Sequence, residues 1–461
     1  MSSILQQELQ SFPHVVDVHL SGSSAVTFGV RTVDGILHVL LWTRTAHKIM
    51  ELLVATSNTD LLYTRDDLYD FVQSSIPVHD LLRSTNNKEQ ATAPWLTLSV
   101  HTMFHNARQL PTDLNHSHYC ALQVKNALVD AARAWSSGGD RPTVDTVDPD
   151  VPVTLLLRGQ KDGGATAALY RTVHGGGSLH KRGYRQDTAI HKASLKESTA
   201  AALLLAAGWS PEKSATHILV DPMMGSGTFL AEGVLIAADY APGLMRIRCH
   251  SGGDGDFTAA SLQPPPVVRW DPDTLQASWR TALREATVRA KAGLQRLATA
   301  SPPRFAGNDC HPGATRLARE SWRAAGIEQV IEPADSGEDC ARWVGPLSGD
   351  DPWMIVSNPP WGVRLAEDID TDTAWEALRV FVRDTCPQTK GSVAWVLSGD
   401  MATTRILRLR KSRSISLQTG EQDLRWLMYE LGGCPPDGRG RNVVAPRRPV
   451  VVIDDADNEW L

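Results

Sequence analysis

Four consecutive residues carry groups that could together activate a planar amine: Asn358, Pro359, Pro360 and Trp361. The exocyclic amine of a base is a poor nucleophile because its lone pair is delocalised into the ring. The side-chain oxygen of Asn358 and the backbone carbonyl of Pro359 could accept hydrogen bonds from both amine hydrogens and favour a tetrahedral nitrogen. The prolines fix φ and hold these acceptors in place, and Trp361 could stack on a flipped base. The segment therefore suits chemistry at a planar amine, although Asn-Pro-Pro also forms ordinary turns.

A second chemical signal is a glycine-containing turn at residues 221–228 (DPMMGSGT), which follows a predicted strand and opens a predicted helix. In α/β sheets this is a place where nucleotides bind. Gly225 and Gly227 lack Cβ atoms, so a ligand carboxylate and ribose could lie against backbone N–H groups at the start of the helix. Asp221 could accept a hydrogen bond from a ligand ammonium. Tight strand-to-helix turns also use glycine for structural reasons alone.

Two further acidic residues favour a binding site over a plain turn. Asp309 ends the next predicted strand, where it could bind a ribose diol, and Asp335 follows a third apolar stretch, where it could meet an adenine amine. A single Asp at a strand end is more often a helix cap or a turn former. Three acids after three strands instead indicate a site for S-adenosylmethionine, whose predicted binding residues are Asp221, Met223, Gly225, Ser226, Gly227, Thr228, Asp309 and Asp335.

The elements that must position these residues follow from hydrophobic periodicity. Strand and helix patterns alternate from about residue 193 onwards, which predicts an α/β domain of the Rossmann-like type with a doubly wound, mainly parallel sheet. The predicted strands are residues 217–220, 304–306, 353–356 and 392–397. The predicted helices are residues 193–209, a segment after Gly227, and residues 274–297 and 313–325. Both chemical segments then follow predicted strands.

The earlier part of the chain shows shorter patterns, which predict two small α+β units in two layers. Its predicted strands are residues 25–30, 36–41, 95–100 and 153–157, and its clearest helix is residues 117–135. A polar, glycine-rich stretch at residues 161–177 indicates a domain boundary. Residues 248–270 and the tail after Gly432 are predicted to be exposed loops.

Composition limits the classes of protein that fit. The formal net charge of the 461 residues is −6, so any basic surface for nucleic acid must be local. The six cysteines form no Cys-x-x-Cys pair, and neither zinc nor a disulfide framework is predicted. No apolar run approaches the ~20 residues that span a bilayer. We expect a soluble protein of a reducing compartment, either cytoplasm or an organellar matrix, without a metal or a membrane partner.

Two basic segments are candidates for phosphate contacts. The first, residues 180–185, places cations beside an aromatic residue, and its predicted RNA-binding residues are Lys181, Arg182, Tyr184 and Arg185. Arg182 or Arg185 could instead brace the packing between domains. The second segment contains Arg405, Arg408, Arg410, Lys411 and Arg413. A helix C-terminal charge bias explains part of this second cluster, but its density favours RNA.

These motifs resemble those of a known family. The matching segments are residues 124–130 (VKNALVD), 178–185 (SLHKRGYR), 195–198 (LKES), 221–228, 241–244 (APGL) and 358–365 (NPPWGVRL). Together they resemble the large-subunit ribosomal RNA guanine-N2 methyltransferases nearly end to end, in particular the N-terminal half of their bifunctional bacterial members. The resemblance implies an S-adenosylmethionine-dependent RNA methyltransferase that acts on N2 of guanine.

The resemblance also implies a domain order and site roles. Residues 1–60 would form a ferredoxin-like part, residues 61–175 an RNA-binding THUMP domain, and residues 176–461 the Rossmann-like methyltransferase domain. The donor-site residues given above and the segment 358–361 carry over as the family's donor and catalytic motifs.

Several positions depart from the family pattern. Trp361 stands where Tyr or Phe is usual, His311 where a second acid is usual, and Met224 where Cys is common. The family's opening strand and its second methyltransferase half have no counterpart. A version with a single activity is therefore expected.

Other functions share the catalytic motif. Asn-Pro-Pro-aromatic segments are similar in DNA adenine-N6 methyltransferases and in glutamine-N5 methyltransferases, because all attack a planar nitrogen. A THUMP-like module favours structured RNA over both, with transfer RNA as the alternative substrate. A non-catalytic RNA-binding or assembly protein is a further alternative, which the intact donor and base motifs disfavour.

Overall fold

The structure is a computed structural model that describes residues 2–453, apart from residues 23, 58, 85–93, 176, 186–194, 251–262, 334–338, 347–350, 361–370, 388–390, 420–421 and 432–450. Its contacts divide the chain into two units. The first unit contains Met1–Ala46, Leu179–Thr258 and Leu283–Leu461, and the second contains His47–Ser178 and Ala259–Ala282. Neither unit is one continuous stretch of chain.

The helices and strands are as follows in chain order. The helices are α1 Ser2–Gln10, α2 Asp34–Trp42, α3 Arg65–Ser75, α4 Val78–Leu81, α5 Ser117–Trp135, α6 Glu197–Ala206, α7 Pro211–Thr216, α8 Thr228–Ala237, α9 Pro242–His250, α10 Pro266–Trp270, α11 Pro272–Ala298, α12 Pro312–Ala325 and α13 Thr371–Val380. The strands are β1 Val15–Ser21, β2 Ala25–Val30, β3 Met50–Ala55, β4 Leu98–His105, β5 Val151–Gly159, β6 Ala165–Thr172, β7 Ile218–Asp221, β8 Phe305–Gly307, β9 Glu332–Pro333, β10 Trp353–Ser357, β11 Val393–Ser398, β12 Lys411–Thr419, β13 Gln422–Glu430 and β14 Val451–Ile453.

The first unit is built on an eight-stranded sheet with the order β14-β12-β13-β11-β10-β7-β8-β9. Every neighbouring pair from β11 to β9 is parallel, and β13 is antiparallel to both of its neighbours. The chain runs outward from β7 through β8 to β9 and then returns to β10 on the other side of β7. This reversal creates the crevice outside the carboxyl ends of the strands where doubly wound sheets bind ligands. The predicted Rossmann-like fold is confirmed.

The central strands are buried because a parallel sheet is covered on both faces. All residues of β7 and β10 are buried, so these strands are near-continuous apolar runs rather than alternating ones. One side of the core contains a stack of aromatic rings, in which Trp343 and Phe381 lie 5.2 Å apart and nearly parallel. A rigid base of this kind fixes the positions of the two turns that follow β7 and β10.

The second unit contains a four-stranded sheet with the order β3-β6-β5-β4. Strands β4 and β5 are parallel, and β6 is antiparallel to both β5 and β3. Helix α5 connects β4 with β5 and buries Cys120, Val124, Ala127 and Leu128 at helical spacing. Thr64 precedes α3 and forms a capping box, in which the Asp67 side chain accepts from the backbone N–H of Thr64.

Because β4 and β5 are parallel, their carboxyl ends share one edge of the sheet.

Several predicted elements are confirmed at their predicted bounds, and one is wrong in type. Helix 117–135 and strand 25–30 match α5 and β2. Residues 36–41, predicted as a strand, instead belong to helix α2, which buries Leu37, Val39, Leu40 and Leu41. A short continuous apolar run fits a buried strand and a buried helix equally well, so periodicity does not separate the two.

The prediction of exposed loops is also partly wrong. Helix α9 extends to His250, and α10 lies inside the predicted loop 248–270 with Val267, Val268 and Trp270 buried. Residues 251–262 lie outside the described part of the chain. Strand β6 likewise lies inside the glycine-rich stretch 161–177. Within the residues that the structure describes, no helix is both long and apolar enough to cross a bilayer.

Candidate active site

The turn after β7 is joined to the end of β8 by backbone hydrogen bonds. The backbone N–H of Asn308 donates to the carbonyl of Asp221 (3.0 Å), and the N–H of Met224 donates to the carbonyl of Asn308 (2.9 Å). The Asn308 side chain is fully buried, and its amide nitrogen lies 3.4 Å from the carbonyl of Pro222. These bonds hold the turn against the neighbouring strand.

The structure brings Asp221, Gly225 and Asp309 together, as the sequence predicts. The Asp309 carboxylate accepts from the backbone N–H of Gly225 and from that of His311, both at 2.9 Å. The Asp221 carboxylate accepts from the backbone N–H of Met223 at 3.2 Å. Both acids thus shape the turn through hydrogen bonds from backbone N–H groups.

Two glycines in this turn adopt left-handed backbone conformations for different reasons. Gly225 has φ +53°, and a Cβ atom there would meet no other atom within 4 Å. Gly227 has φ +70°, and a Cβ atom there would lie 2.6 Å from the ring of Trp322, whose indole N–H donates to the Gly227 carbonyl at 3.2 Å. The space beside Gly225 is therefore open, while Gly227 permits a close approach of Trp322.

The Asp221 carboxyl is almost completely buried. Burial raises its pKa well above the ordinary value, the N–H of Met223 opposes this change, and the neighbouring Asp309 charge adds to it. An ammonium group placed beside Asp221 would restore the charged form by direct pairing. Gly227 begins α8 without a side-chain cap, so the first N–H groups of that helix receive no side-chain acceptor from it. Among the predicted donor-site residues, Ser226 and Thr228 lie on this turn with their hydroxyls 3.2 Å apart.

The residues of this turn fit the predicted cofactor. S-adenosylmethionine carries an ammonium, a carboxylate and a ribose diol. The turn and the neighbouring strand end offer a buried acid, helix-end N–H groups and a half-buried second acid, Asp309, which accepts from the Gly225 N–H. Open space beside Gly225 allows a ligand to approach the backbone.

The segment after β10 lies next to this turn. Strands β10 and β7 are parallel neighbours, with Ile355 paired with Val220, so Asn358 and Asp221 both lie at the carboxyl edge of the sheet. Asn358 is half-buried and Pro359 is buried. The Pro360 carbonyl accepts from the indole N–H of Trp375 at 2.7 Å, and Trp375 is itself fully buried on α13. A buried side chain thus anchors the backbone of the predicted catalytic segment.

Two predicted site residues, Trp361 and Asp335, lie outside the described residues. Across the described part of the chain, no group of three His, Cys, Asp or Glu side chains is arranged to hold a metal ion. The donor and acceptor groups at this edge are carboxylates, an amide, backbone carbonyls and backbone N–H groups. Such a set can bind a charged nucleoside and accept hydrogen bonds from an amine.

Comparison with known proteins identifies the family. Residues 182–428, more than half of the chain, match the model of the RMKL-like methyltransferase domain. The chain belongs to this family. As a member, it shares 31% identity over 393 residues with ribosomal RNA large subunit methyltransferase K/L of Syntrophotalea carbinolica, which covers 85% of this chain and 47% of that protein. The K/L enzyme of Allochromatium vinosum is 31% identical over 432 residues, covering 94% of this chain and 50% of that protein.

The chain spans about half the length of these curated relatives. Two solved structures share the fold of this methyltransferase family member. A Listeria monocytogenes protein described as a predicted N6-adenine-specific DNA methylase has a TM-score of 0.66 at 20% identity, and the match covers 93% of each chain. A methyltransferase complexed with SAH has a TM-score of 0.67 at 19% identity and covers 94% of this chain and 96% of that chain. The predicted fold and membership of the RMKL-like methyltransferase domain family are confirmed, whereas the THUMP domain, the reaction and guanine-N2 specificity stay predictions.

The first basic segment, residues 180–185, contains two buried side chains among its predicted RNA-binding residues. Arg182 and Tyr184 are each 1% exposed. Arg182 donates to the carbonyls of Leu179 (2.6 Å) and Arg44 (2.5 Å) and lies 3.4 Å from the Glu232 carboxylate, to which the Tyr184 hydroxyl also donates. In this conformation an RNA phosphate reaches neither side chain, which corrects the prediction of an RNA contact for these two residues.

The other two residues of that segment differ from each other. Lys181 is exposed, so its predicted RNA contact stays a prediction. The Arg185 guanidinium is nearly buried, donates to the carbonyl of Leu195 at 2.8 Å and lies 3.6 Å from the Glu197 carboxylate. The partners of Arg182 and Arg185 all lie within the first unit, so bracing between domains stays a prediction. The acidic partners allow both guanidinium groups to be buried, because a buried guanidinium requires compensating acceptors.

Sequence reasoning missed three residues that support the site: Asn308, Trp322 and Trp375. Asn308 directly precedes Asp309 and could have been predicted from the sequence, because a polar residue at the end of a buried strand needs a hydrogen-bond partner. Trp322 lies 95 residues after Gly227, and Trp375 lies 15 residues after Pro360 on the next helix. No local pattern indicates such pairings.

Proposed function

We propose that this chain is an S-adenosylmethionine-dependent RNA methyltransferase that modifies N2 of guanine in large-subunit ribosomal RNA. One observation carries the proposal: the acidic, glycine-containing turn after β7 and the Asn-Pro-Pro segment after β10 occupy the carboxyl ends of neighbouring parallel strands. A methyl donor and a planar amine bound at these two turns would be adjacent. The K/L relatives, which are named as large-subunit ribosomal RNA methyltransferases, support the choice of substrate.

The donor side is proposed to act through the turn after β7. The cofactor supplies an electrophilic methyl group on a sulfonium. Asp221 binds the ammonium, the N–H groups that begin α8 face the carboxylate, and Asp309 binds the ribose diol. Asp335 is proposed to receive the adenine amine. Met223, Ser226 and Thr228 complete the wall of the turn.

The acceptor side is proposed to act through residues 358–361. The Asn358 side-chain oxygen and the Pro359 carbonyl accept hydrogen bonds from the two hydrogens of the guanine amine, which localises the nitrogen lone pair toward the methyl group. The hydrogen bond from Trp375 to the Pro360 carbonyl fixes the backbone beyond Pro359. Trp361 stacks on the flipped base, and such stacking contributes roughly 1–3 kcal/mol per base.

Substrate delivery is proposed for the N-terminal part of the chain. The proposed domains are a ferredoxin-like part at residues 1–60, a THUMP domain at residues 61–175 and the methyltransferase domain at residues 176–461. Residues 405–413, whose cations are exposed, are a second candidate delivery surface. Lys411 lies opposite Tyr429 near the start of β11, at the edge away from Asn358, whereas Arg405 lies in the segment that follows the carboxyl end of β11.

The proposal is tested by methyl transfer in vitro. The purified chain is incubated with labelled S-adenosylmethionine and, separately, with unmodified large-subunit ribosomal RNA, transfer RNA, DNA and a release-factor protein. Nucleoside mass spectrometry then identifies the product. We expect N2-methylguanosine in ribosomal RNA alone. Label in transfer RNA would favour the alternative substrate, and donor binding without transfer to any substrate would favour a non-catalytic assembly protein.

A further inference from the structure

A pocket of about 380 Å³ lies in the second unit, and none of the residues assigned above lines it. It is lined by Asn106, Gln109, Gly159, Gln160, Lys161 and Asp162. Because β4 ends at His105 and β5 ends at Gly159, and the two strands are parallel, the pocket lies at their shared carboxyl edge. We call it the strand-end pocket. Its volume is within the roughly 300–1,000 Å³ of sites that hold small ligands.

The shape of the strand-end pocket is set by backbone packing. Asn106 adopts a left-handed conformation with φ +54°, and its carbonyl accepts from the Gln109 N–H at 2.8 Å. This turn packs directly on Gly159, where a Cβ atom would lie 2.6 Å from the Gln109 carbonyl carbon. The opposite wall is the hairpin between β5 and β6, which closes through the hydrogen bond from Gln160 N–H to the Gly164 carbonyl at 2.9 Å. The pocket is therefore a built feature of the fold.

The side chains that line the pocket match the edge of a nucleobase. Asn106, Gln109 and Gln160 each carry an amide that can donate and accept, Asp162 can accept from an amino group, and Lys161 can donate to a base or a phosphate. Four of the lining side chains are exposed and make no hydrogen bond or ion pair with any described residue: those of Asn106, Gln109, Lys161 and Asp162. Their polar groups can therefore bind a ligand without breaking such a contact. Gln160 donates to the Thr166 hydroxyl at 3.1 Å and keeps its amide oxygen.

Positive charge exceeds negative charge at the pocket. Lys161 lines it, and Arg108 and Arg158 lie on the two segments that form it, against one lining acid, Asp162. The three cations are exposed, and none of them forms an ion pair with a described residue, whereas Arg65, Arg171 and Arg269 of the same unit each pair with an Asp or Glu at 2.9 Å or less. Three cations against one acid at this edge of the sheet favour a polyanionic ligand.

An exposed aromatic ring lies beside the same hairpin. Tyr63 is 51% exposed, and its Cε1 atom would lie 3.2 Å from a Cβ atom on Gly164. Single-stranded RNA is bound by this combination of cations along the backbone, an aromatic ring for stacking and polar groups for the base edge. Duplex RNA presents its base edges poorly, because its major groove is deep and narrow.

We propose that the strand-end pocket binds an unpaired nucleotide of the RNA substrate. The base lies against Gln109 and the neighbouring amides, Lys161 and Arg158 contact the adjoining phosphates, and Tyr63 stacks on a neighbouring base. This inference rests on the proposed function, because it assigns a recognition site for the same RNA. It places sequence or loop recognition in a pocket that carries no methyl-transfer chemistry.

The test measures binding of the full chain to a fluorescein-labelled single-stranded RNA of about ten nucleotides by fluorescence anisotropy, at several salt concentrations. Lys161→Ala should weaken binding about three- to tenfold and reduce the salt slope by about one, as expected for a lost phosphate contact. Gln109→Ala should weaken binding about tenfold with an unchanged salt slope, as expected for a lost base contact. Both residues are exposed, so the fold should be unaffected.

Arg133→Ala is the matched control. Arg133 is an exposed cation in the last turn of α5, and α5 returns from the carboxyl end of β4 toward the opposite edge of the sheet. Its loss should change the affinity by about twofold or less. Equal affinity of the Lys161→Ala, Gln109→Ala and unsubstituted chains for the oligonucleotide would overturn the pocket assignment. So would duplex RNA that binds as tightly as the single strand.

The outcomes separate this inference from the proposed function. A chain that methylates RNA while both variants bind the oligonucleotide normally would retain the function and lose the pocket. A chain that methylates no RNA, but whose oligonucleotide binding depends on Lys161 and Gln109, would retain the pocket and lose the function. Guanosine monophosphate as a competitor tests the size of the ligand. Displacement of RNA by this nucleotide from the unsubstituted chain, and not from the Gln109→Ala variant, supports a site for a single nucleotide.

Discussion

The turn after β7 and the segment after β10 lie on neighbouring strands but are held by different kinds of interaction. Backbone hydrogen bonds and acid-to-backbone bonds hold the first, from Asn308, Asp309 and Asp221. The second contains two proline rings and accepts an indole hydrogen bond from Trp375. The donor turn is thus defined mainly by backbone geometry, and the acceptor segment by particular side chains. Substitutions should therefore affect binding and stability in the first, and turnover in the second.

The largest expected effect is on turnover in the acceptor segment. Asn358→Ala should lower kcat by about two orders of magnitude, because a transition-state acceptor of this kind contributes about 3 kcal/mol. The dissociation constant for S-adenosylmethionine, measured by calorimetry, should stay within about twofold of the original value. Asn358→Asp, which keeps an acceptor oxygen, is the control and should retain more activity. A large loss of donor affinity in Asn358→Ala would remove the distinction between the two turns.

In the donor turn, replacement of Asp221 should change donor affinity and protein stability. Asp221→Asn should weaken S-adenosylmethionine binding about ten- to a hundredfold, because a charge-assisted hydrogen bond is worth about 1.5–3 kcal/mol. Burial raises the pKa of Asp221, so its ionised form destabilises the ligand-free protein. The free energy of unfolding therefore falls as pH rises from the ordinary carboxyl pKa through the raised one. Asp221→Asn should melt at a higher temperature than the original chain at neutral pH, with a smaller difference in acid.

Asp309→Asn is the matched control for that measurement. The Asp309 carboxylate accepts from two backbone N–H groups, so its replacement should lower the melting temperature of the ligand-free protein. Thermal melts of both variants at pH 5 and pH 8, with and without donor, check the contrast. If Asp221→Asn melts lower than the original chain at neutral pH, the buried acid stabilises the turn and the comparison is wrong.

The two glycines sharpen the comparison through backbone geometry. Gly225→Ala should cost only the left-handed conformation, roughly 1–2 kcal/mol, since a Cβ atom there meets open space. Gly227→Ala should cost about 1–3 kcal/mol more, because its Cβ atom would overlap the Trp322 ring. Urea unfolding of the ligand-free variants measures this difference. Equal costs would mean that Trp322 moves aside and does not shape the turn.

The smallest expected effect concerns the indole hydrogen bond of the acceptor segment. Trp375→Phe keeps a buried ring but removes the donor to the Pro360 carbonyl, and should lower kcat about tenfold, or roughly 1.4 kcal/mol. Trp395→Phe is the control, because its buried indole nitrogen has no hydrogen-bond partner among the described residues. Steady-state kinetics should show a change in kcat for Trp375→Phe alone, with KM for the donor unchanged. Equal losses in both variants would indicate general core packing.

The sequence predicts the parallel sheet and its two functional turns because these features are local. A strand, a glycine turn and a helix occupy consecutive residues at 218–237, so periodicity and residue type suffice. The grouping of Asp221 with Asp309 also follows, since parallel strands end at one edge. The helix α2 was missed because an apolar run has no period to distinguish it from a strand.

The remaining errors concern interactions between distant residues. The density of cations at residues 180–185 suggests a surface, but Glu232 lies about fifty residues later and pairs with Arg182 in the interior. Sequence shows the arginines without showing which of them have acidic partners. The same limit hides the strand-end pocket, whose cations are scattered over residues 108–161 and gain meaning only from the parallel pairing of β4 and β5.

The discontinuous first unit has a consequence for synthesis on the ribosome. Helix α2 buries Leu37, Leu40 and Leu41, and α2 packs against α9, which begins about two hundred residues later. At about 5–20 residues per second, the apolar face of α2 waits roughly ten to forty seconds for its partner to be made. Throughout that interval the nascent chain exposes an apolar helix to solvent, which makes α2 a site for holdase chaperones to bind and a risk for premature association.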